Sequence, residues 1–485
     1  MGSRSVIVRN RSCRIQPSSR VADQFEIPAT IRDAGGIQRF WSSAGDPPLA
    51  RVSRAQGLYV WDTAGRRYID VTSGPVAVNL GHGNERVLRA IHEQASRVCF
   101  AYPSAFESES NVRLSERLAG EAGLGLERAF FVSSGSEAVE KCLQFARRYA
   151  LASAQAARYK VISRNPSYHG STRATMALSA DPGYAAYLPP GHTGIHVPAP
   201  WSYRPNAGMN AAEYARQCAE ALRSTILAEG PEEVLAFIIE PVMGFCGGAD
   251  HAPPAYYRRI REICDEFGVL LIYDETISGA GRTGKFLAAH WWPGANPDLV
   301  TLAKGIGGGY VPLAAFLAPD RLVDVVVRAG GFHFGHTHKG HPLACAVGLA
   351  VLEETLDRKL IERANTLGAR LRASLDALKA QNLIVGDVRG LGLLNAIEIV
   401  ADPATKAMLP RSLDVVGRIQ AIARAHGFLI YGRRSHGGKF GDWIMVTPPL
   451  IATSEDIDEI VAGLARTLQI YRDELAAAGL IDARL

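Results

Sequence analysis

The sequence predicts an α/β protein, with a large domain built on a mostly parallel sheet flanked by helices and a smaller α+β domain assembled from both ends of the chain. Three observations carry this. Short apolar runs at 161–162, 235–239, 269–273, 299–302 and 313–317 lack the alternation of a half-exposed strand, so both faces of each strand are expected to be buried. Between several of them lie helical patterns such as Pro254–Phe267, where Tyr257, Ile260, Ile263 and Cys264 recur at helical spacing, and strands separated by helices build parallel sheets. The length of 485 residues, 47% hydrophobic and 21% charged, is ordinary for a soluble fold and large for one compact domain.

The two ends read differently from the middle. Tyr59-Val60-Trp61-Asp62 and Arg67-Tyr68-Ile69-Asp70 flank the turn residues Thr63-Ala64-Gly65, a hairpin signal. After Pro342 one long helical stretch is expected to reach about Gln381, followed by strand-like segments at 390–393 and 394–400. A final amphipathic helix is expected to open on Ser454 as N-cap, with Glu455, Asp456 and Asp458 facing the helix dipole. The expected layout is a disordered N-terminal arm at 1–24, a large domain at 75–335, and a small domain made of 25–74 and 336–485.

Composition excludes several function classes. The 53 basic and 48 acidic residues leave a net charge of only +5, too little and too dispersed for a nucleic-acid stripe. The one arginine-rich stretch, Arg4, Arg9, Arg11, Arg14 and Arg20, has neither a long apolar core nor an amphipathic face, so an arm is expected there rather than a targeting segment. Seven scattered cysteines without a CxxC pair point to reduced thiols in a cytoplasmic protein. No apolar run approaches the ~20 residues that span a bilayer.

Two strand ends carry the chemistry. Asp274 follows the run 269–273 and Lys304 follows 299–302, so an acid and an amine leave the carboxyl edge of one sheet, where open α/β folds bind ligands. Either residue alone would read equally well as a helix cap or a solvated lysine. Phe131-Val132-Ser133-Ser134-Gly135-Ser136-Glu137 reads as strand, turn and helix start. The N–H groups of Gly135 and Ser136, helped by the helix dipole, could hold a phosphate; a plain turn with Ser136 as N-cap explains the same letters.

From about Tyr59 to Leu450 the chain resembles the class III aminotransferases, fold type I pyridoxal-phosphate enzymes. The resemblance rests on stretches in family order: Gly57-Leu58-Tyr59-Val60-Trp61-Asp62, Asn79-Leu80-Gly81-His82-Gly83, Ser134-Gly135-Ser136-Glu137-Ala138, Tyr168-His169-Gly170, Glu240-Pro241-Val242, Asp274-Glu275 with Gly281-Arg282-Thr283-Gly284, Ala303-Lys304-Gly305 and Gly340-His341-Pro342. It implies a seven-stranded, mostly parallel sheet and the cofactor pyridoxal 5'-phosphate. It further implies that Lys304 binds the cofactor as a Schiff base and carries the proton, and that Asp274 keeps the pyridine nitrogen protonated. By the same resemblance Tyr168 stacks on the ring, Ser134, Gly135 and Ser136 take the phosphate, and His169, Glu240, Thr276 and Ile277 line the ring. Thr337 corresponds to a threonine that reaches the phosphate in a neighbouring subunit, implying a homodimer whose sites are completed across a two-fold axis.

The departures concern substrate. Thr276 stands where the family usually has Val, Ala280 where Phe is common, and Ile277 is similar to the amine:pyruvate and ω-amino acid:pyruvate members rather than those with Gln. The usual His-Gly pair before the threonine region reads Phe334-Gly335. The expected reaction moves an amino group from an amine or ω-amino acid to a 2-oxo acid, pyruvate favoured. Its carboxylate needs a planar, bidentate cation, for which Arg433 and Arg434, in an expected loop at 431–439, are the candidates, a solvated basic loop being the plain alternative. Tyr102 and Phe106 resemble pocket-wall positions, with core packing as the plain alternative. His333, His336, His338 and His341 fall within nine residues, but the family pattern already accounts for His341 and no metal is expected. An aminomutase of the glutamate-1-semialdehyde type, suggested by Ala34-Gly35-Gly36, would use the same lysine and aspartate. A non-catalytic scaffold would be signalled by loss of either residue, and both are present.

Overall fold

The computed structural model describes residues 40, 49–206, 208–244, 246–333, 335–435 and 438–481. The expected arm at 1–24, the Ala34-Gly35-Gly36 segment and Phe334 lie outside the described residues.

The N-terminal part forms strands β1 (Val52–Gln56), β2 (Tyr59–Asp62) and β3 (Arg67–Asp70). β2 and β3 pair antiparallel with Tyr59 opposite Ile69, the hairpin expected from the sequence. Asp62 closes it by accepting from the backbone N–H groups of Ala64 and Arg66, each at 2.9 Å.

The central sheet takes seven strands: β4 (Arg128–Val132), β5 (Lys160–Asn165), β6 (Ile195–Pro198), β7 (Val234–Ile239), β8 (Leu270–Asp274), β9 (Leu299–Leu302) and β10 (Ala314–Ala318). Their order is β4-β10-β9-β8-β7-β5-β6. Pairings from β9 through β6 are parallel, whereas β10 runs antiparallel to both β4 and β9. Every residue of β7, β8, β9 and β10 is buried, because helices cover both faces, and this is why these strands read as unbroken apolar runs. The helix Pro254–Phe267 packs Tyr257, Ile260, Ile263 and Cys264 into the core on one side. On the other, Val139, Cys142, Phe145 and Ala146 of helix Gly135–Ala152 meet Phe316 and Leu270.

A second four-stranded sheet forms from β11 (Val385–Leu391), β12 (Leu394–Ile399), β14 (Tyr431–Ser435) and β15 (Gly441–Val446), in the order β11-β12-β15-β14. The short β13 (Phe428–Leu429) returns to pair parallel with β3, joining the two ends of the chain in one sheet.

Three expectations are corrected. The stretch 342–381 is two helices, Pro342–Asp357 and Leu360–Gln381, because Lys359 adopts a left-handed φ of 50° between them. The last helix, Ser454–Ala477, is capped by Thr453, whose side chain accepts from Asp456 N while Asp456 reaches back; two adjacent hydroxyl residues hid which one serves. The segment 431–435 is a strand rather than a loop, paired along its length with β15. Among the described residues no helix is long and apolar enough to cross a membrane.

Candidate active site

β8 and β9 are parallel neighbours, with Asp274 in register with Thr301. Asp274 ends one and Lys304 lies two residues past the end of the other, so both reach the same rim of the sheet. Lys304 has φ 47°, a left-handed backbone that a long side chain rarely adopts and that marks a site where surrounding structure over-determines the conformation. Both residues line a cavity of about 270 Å³ together with Ser134, Gly135, Ser136, Tyr168, His169, Glu240, Thr276 and Ile277.

Burial lowers the Lys304 amine to about 8, against the opposing pull of Asp274 and Glu240. A useful fraction of free amine at neutral pH follows. Burial pushes Asp274 the other way, but His169 and the hydrogen bonds to the carboxylate outweigh it and hold the group below its usual value. His169 Nδ1 stands 2.9 Å from Asp274 Oδ2; since a carboxylate only accepts, that nitrogen carries the proton. Asp274 Oδ1 accepts from Thr276 N at 3.1 Å and Thr301 Oγ1 at 2.9 Å. Three bonds on a group with about four acceptor positions leave one for a ligand. His169 Nε2 is buried with no hydrogen-bond partner among the described residues.

The helix Gly135–Ala152 opens on the cavity. Its N-cap is Ser134, not Ser136: Ser134 Oγ accepts from Glu137 N at 3.3 Å and Glu137 Oε2 accepts from Ser133 N at 2.8 Å. The cap therefore does not consume the Gly135 and Ser136 N–H groups, two of the orphan donors every helix start presents. Ser136 Oγ instead accepts from Ser171 N at 3.1 Å, tying the helix start to the Tyr168–Gly170 segment. Gly170 makes this approach possible, since with its φ of 138° a Cβ there would lie 2.6 Å from Ser136 Oγ.

Glu240 is pinned by two backbone donors, Tyr168 N to Oε1 and Gly244 N to Oε2, each at 3.0 Å. Burial raises its carboxyl, and His169 opposes the rise. A second cavity of about 230 Å³ also touches Lys304, Tyr168 and Ile277, and is otherwise lined by Pro75, Val76, Gly244, Tyr431 and Met445. The site thus draws on the central sheet, the N-terminal segment and the C-terminal sheet.

The other expected residues lie apart from these cavities. Thr337 is exposed and outside both linings. Tyr102 and Phe106 are 62% and 69% exposed, so core packing is corrected; they line a separate surface hollow with Phe100 and Arg97. The two arginines alternate along β14 and leave opposite faces. Arg433 pairs with Asp181. Arg434 holds Asp442 through two bonds of 2.8 and 3.0 Å and also donates to the carbonyls of Pro410, Arg411 and Leu413. That makes Arg434 a half-buried anchor rather than a free recognition arm.

Sequence reasoning missed Thr301, Gly244, Tyr431, Met445 and the Asp181–Tyr184 turn. Thr301 sits within an apolar strand that was recognised, and its register with Asp274 was the available signal. The others arrive from distant segments with no local pattern to mark them.

Comparison with known proteins agrees with this geometry. Residues 40–468 match the family Aminotransferase class-III. The chain is 36% identical over 448 residues to a diaminobutyrate–2-oxoglutarate transaminase of Halomonas elongata, covering 90% of this chain and 94% of the relative. It is 33% identical over 438 residues to a putrescine–pyruvate aminotransferase of Pseudomonas aeruginosa, with 88% and 91% covered. The solved omega transaminase of Pseudomonas jessenii in complex with PMP superposes with a TM-score of 0.82 at 32% identity, covering 88% of this chain and 94% of that one. With an amine and an acid on adjoining strand ends of a fold type I sheet and a match spanning nearly its whole length, the chain belongs to the class III aminotransferases.

Proposed function

We propose that this enzyme is pyridoxal-phosphate-dependent and transfers an amino group from an amine or ω-amino acid to a 2-oxo acid, pyruvate favoured, with Lys304 as the attachment point of the cofactor. The observation that carries the reading is that Lys304, Asp274 and the free N–H groups at the start of helix Gly135–Ala152 line one cavity. The residues fit the group: an amine, a carboxylate with one spare acceptor position and an anion-binding helix start suit an aldehyde, a ring nitrogen and a phosphate. A PMP complex of a structural neighbour supports the same choice.

Bound there, pyridoxal phosphate supplies an electron sink for the negative charge left when a substrate carbon loses its proton. The chain supplies the rest. Lys304 Nζ, partly unprotonated near neutral pH, takes and returns that proton. Asp274, kept ionised by His169 and Thr301, holds the proton on the ring nitrogen. Tyr168 and Thr276 fix the ring plane, Thr276 also packing beside Gly135, and Ile277 and Glu240 line the ring edge. Arg433 receives the acceptor's carboxylate, and the apolar second cavity takes the donor's carbon chain.

The quaternary and cellular parts of the reading are proposed with it. Thr337 is proposed to serve a second subunit in a homodimer, a reading supported by its being exposed and outside its own cavity. The described cysteines are free thiols, which suits the cytoplasm. The seven-stranded sheet lies within 128–318 and both four-stranded sheets outside it, which supports domain limits near 75 and 335. The test is an assay of purified enzyme with amines and pyruvate, read as alanine formed. Turnover that needs no oxo acid would favour the aminomutase reading and overturn this one.

A further inference from the structure

Two of the stretches found in family order have no part in the reaction as described, the one that opens on Asn79 and the one that contains Arg282. The fold brings them together. Arg282 is 1% and Asn79 2% exposed, and neither lines either cavity. Arg282 Nη1 donates to the carbonyls of Pro448, Thr447 and Leu393, the last two at 3.4 and 3.5 Å. Arg282 Nη2 donates to Asn79 Oδ1 at 2.5 Å and to Ser73 Oγ at 3.4 Å. Burial lowers the guanidinium to about 9, and the charge of Asp70 opposes this. Because a guanidinium only donates, it fixes the Asn79 amide, with the oxygen toward Arg282 and the nitrogen away. That nitrogen donates to the carbonyl of Ala280 at 3.2 Å. It also lies against Gly305, where a Cβ would come within 2.4 Å of it, and Gly305 follows Lys304 in the chain.

We propose that Arg282, acting through Asn79, is a positioning residue for Lys304, holding the backbone from which the reactive amine projects. Lys304 has φ 47°. Ser73, which accepts from Arg282, and Ala280, which accepts from Asn79, have φ 51° and 55°. Left-handed backbone at three non-glycine residues persists only where the surrounding structure over-determines it. A planar fork with one nitrogen on the C-terminal carbonyls and the other on Asn79 and Ser73 supplies that constraint. The inference rests on Lys304 carrying the proton, as in the reading above. An amine displaced by ~1 Å loses up to about a hundredfold in rate, so this support acts on proton transfer rather than on substrate binding.

Asn79→Ala tests this in the purified, cofactor-loaded enzyme, because Arg282 keeps its three carbonyl partners there. With 1-phenylethylamine and pyruvate, kcat is expected to fall about tenfold or more, while both KM values stay within about twofold of wild type. A readout without turnover is the visible circular dichroism of bound pyridoxal phosphate, which is expected to lose amplitude as its attachment point shifts. Arg282→Lys keeps the charge opposite Asp70 but loses the fork, and is expected to lower kcat in the same way. Combined with Asn79→Ala it is expected to do no more harm than the worse single change, since residues acting in series are not additive. Asn79→Asp, equal in size and still an acceptor for Arg282, replaces Asn79→Ala if that variant does not fold. Unchanged kcat and dichroism, whatever the melting temperature, overturn the proposal and leave Arg282 a staple between chain segments. Losses that simply multiply in the double variant overturn it as well. If the wild type forms no alanine, the transaminase reading fails, while the dichroism comparison still decides the role of Asn79 and Arg282.

Discussion

His169 and Asp274 meet at 2.9 Å, their side chains 0% and 4% exposed. The pair spans from the loop after β5 to the end of β8, and it decides the charge of the carboxylate against its own burial. His169→Phe keeps a ring in place and removes the donor. A hydrogen bond to a charged group is worth roughly 1.5–3 kcal/mol, so cofactor affinity is expected to weaken by about tenfold or more. The sign with pH follows from the depressed Asp274 value. Its contribution is present above the ordinary carboxylate range and lost as pH falls through the lower folded value, and in the variant that loss begins at higher pH. Absorbance titration of retained cofactor against pH checks both statements, and a wild-type curve would reduce His169 to packing.

Lys304 gives a stability prediction independent of turnover. Its amine is lowered from 10.5 to about 8 by burial. Between those values the unfolded chain holds a proton that the folded one has released, so this group makes stability rise with pH from about 8 to about 10.5. Below that window the folded, cofactor-free protein bears a buried charge. Lys304→Met is therefore expected to raise the melting temperature of cofactor-free protein by a few degrees at pH 7 and by little at pH 10.5. An equal gain at both would disconnect the effect from the charge. Lys304→Ala is also expected to lower turnover by about a thousandfold or more while cofactor still binds.

Gly170 separates the phosphate end from the ring end. A Cβ at this position would fall 2.6 Å from Ser136 Oγ and 2.7 Å from Thr175 Oγ1. Gly170→Ala must push the start of helix Gly135–Ala152 away from the cavity, weakening an anion site but leaving Lys304 and Asp274 in place. Affinity for pyridoxal phosphate is expected to fall about tenfold while affinity for pyridoxal, which lacks the phosphate, changes little. A parallel fall for both would assign the glycine to the fold as a whole.

What was legible in the sequence followed local periodicity. Asp274 and Lys304 could be placed on one sheet rim because the runs before them are apolar apart from Thr301, as short strands buried on both faces are. The helix start at Gly135 was equally local. By contrast, Lys359 broke a helix that periodicity carried across, since a single left-handed residue leaves the apolar spacing on either side untouched. Tyr431 and Met445 reach Lys304 only because the C-terminal sheet packs against the central one. Nothing near either residue in the chain announces that contact. For Tyr102 and Phe106 core packing was the plain alternative to a pocket wall, because aromatic residues usually are buried, whereas here they stand on the surface.

Arg433 and Arg434 were indistinguishable as neighbours in a basic segment, and strand alternation separates them. Arg434 holds the carboxylate of Asp442, which is 1% exposed, and its other donors hold three carbonyls of the 410–413 turn. Removing it leaves a buried carboxylate uncompensated, at a cost of about 3–5 kcal/mol. Arg434→Ala is expected to lower the melting temperature markedly and, in the folded fraction, to leave the KM for pyruvate near wild type. Arg433→Ala removes the cation on the Tyr431 face and is expected to raise the KM for pyruvate about tenfold or more, with a smaller effect on the KM for an uncharged amine. Melting curves and paired KM measurements on the two variants check this. Reversed roles would mean that β14 presents its other face to the substrate, and the acceptor's carboxylate would then need a different partner.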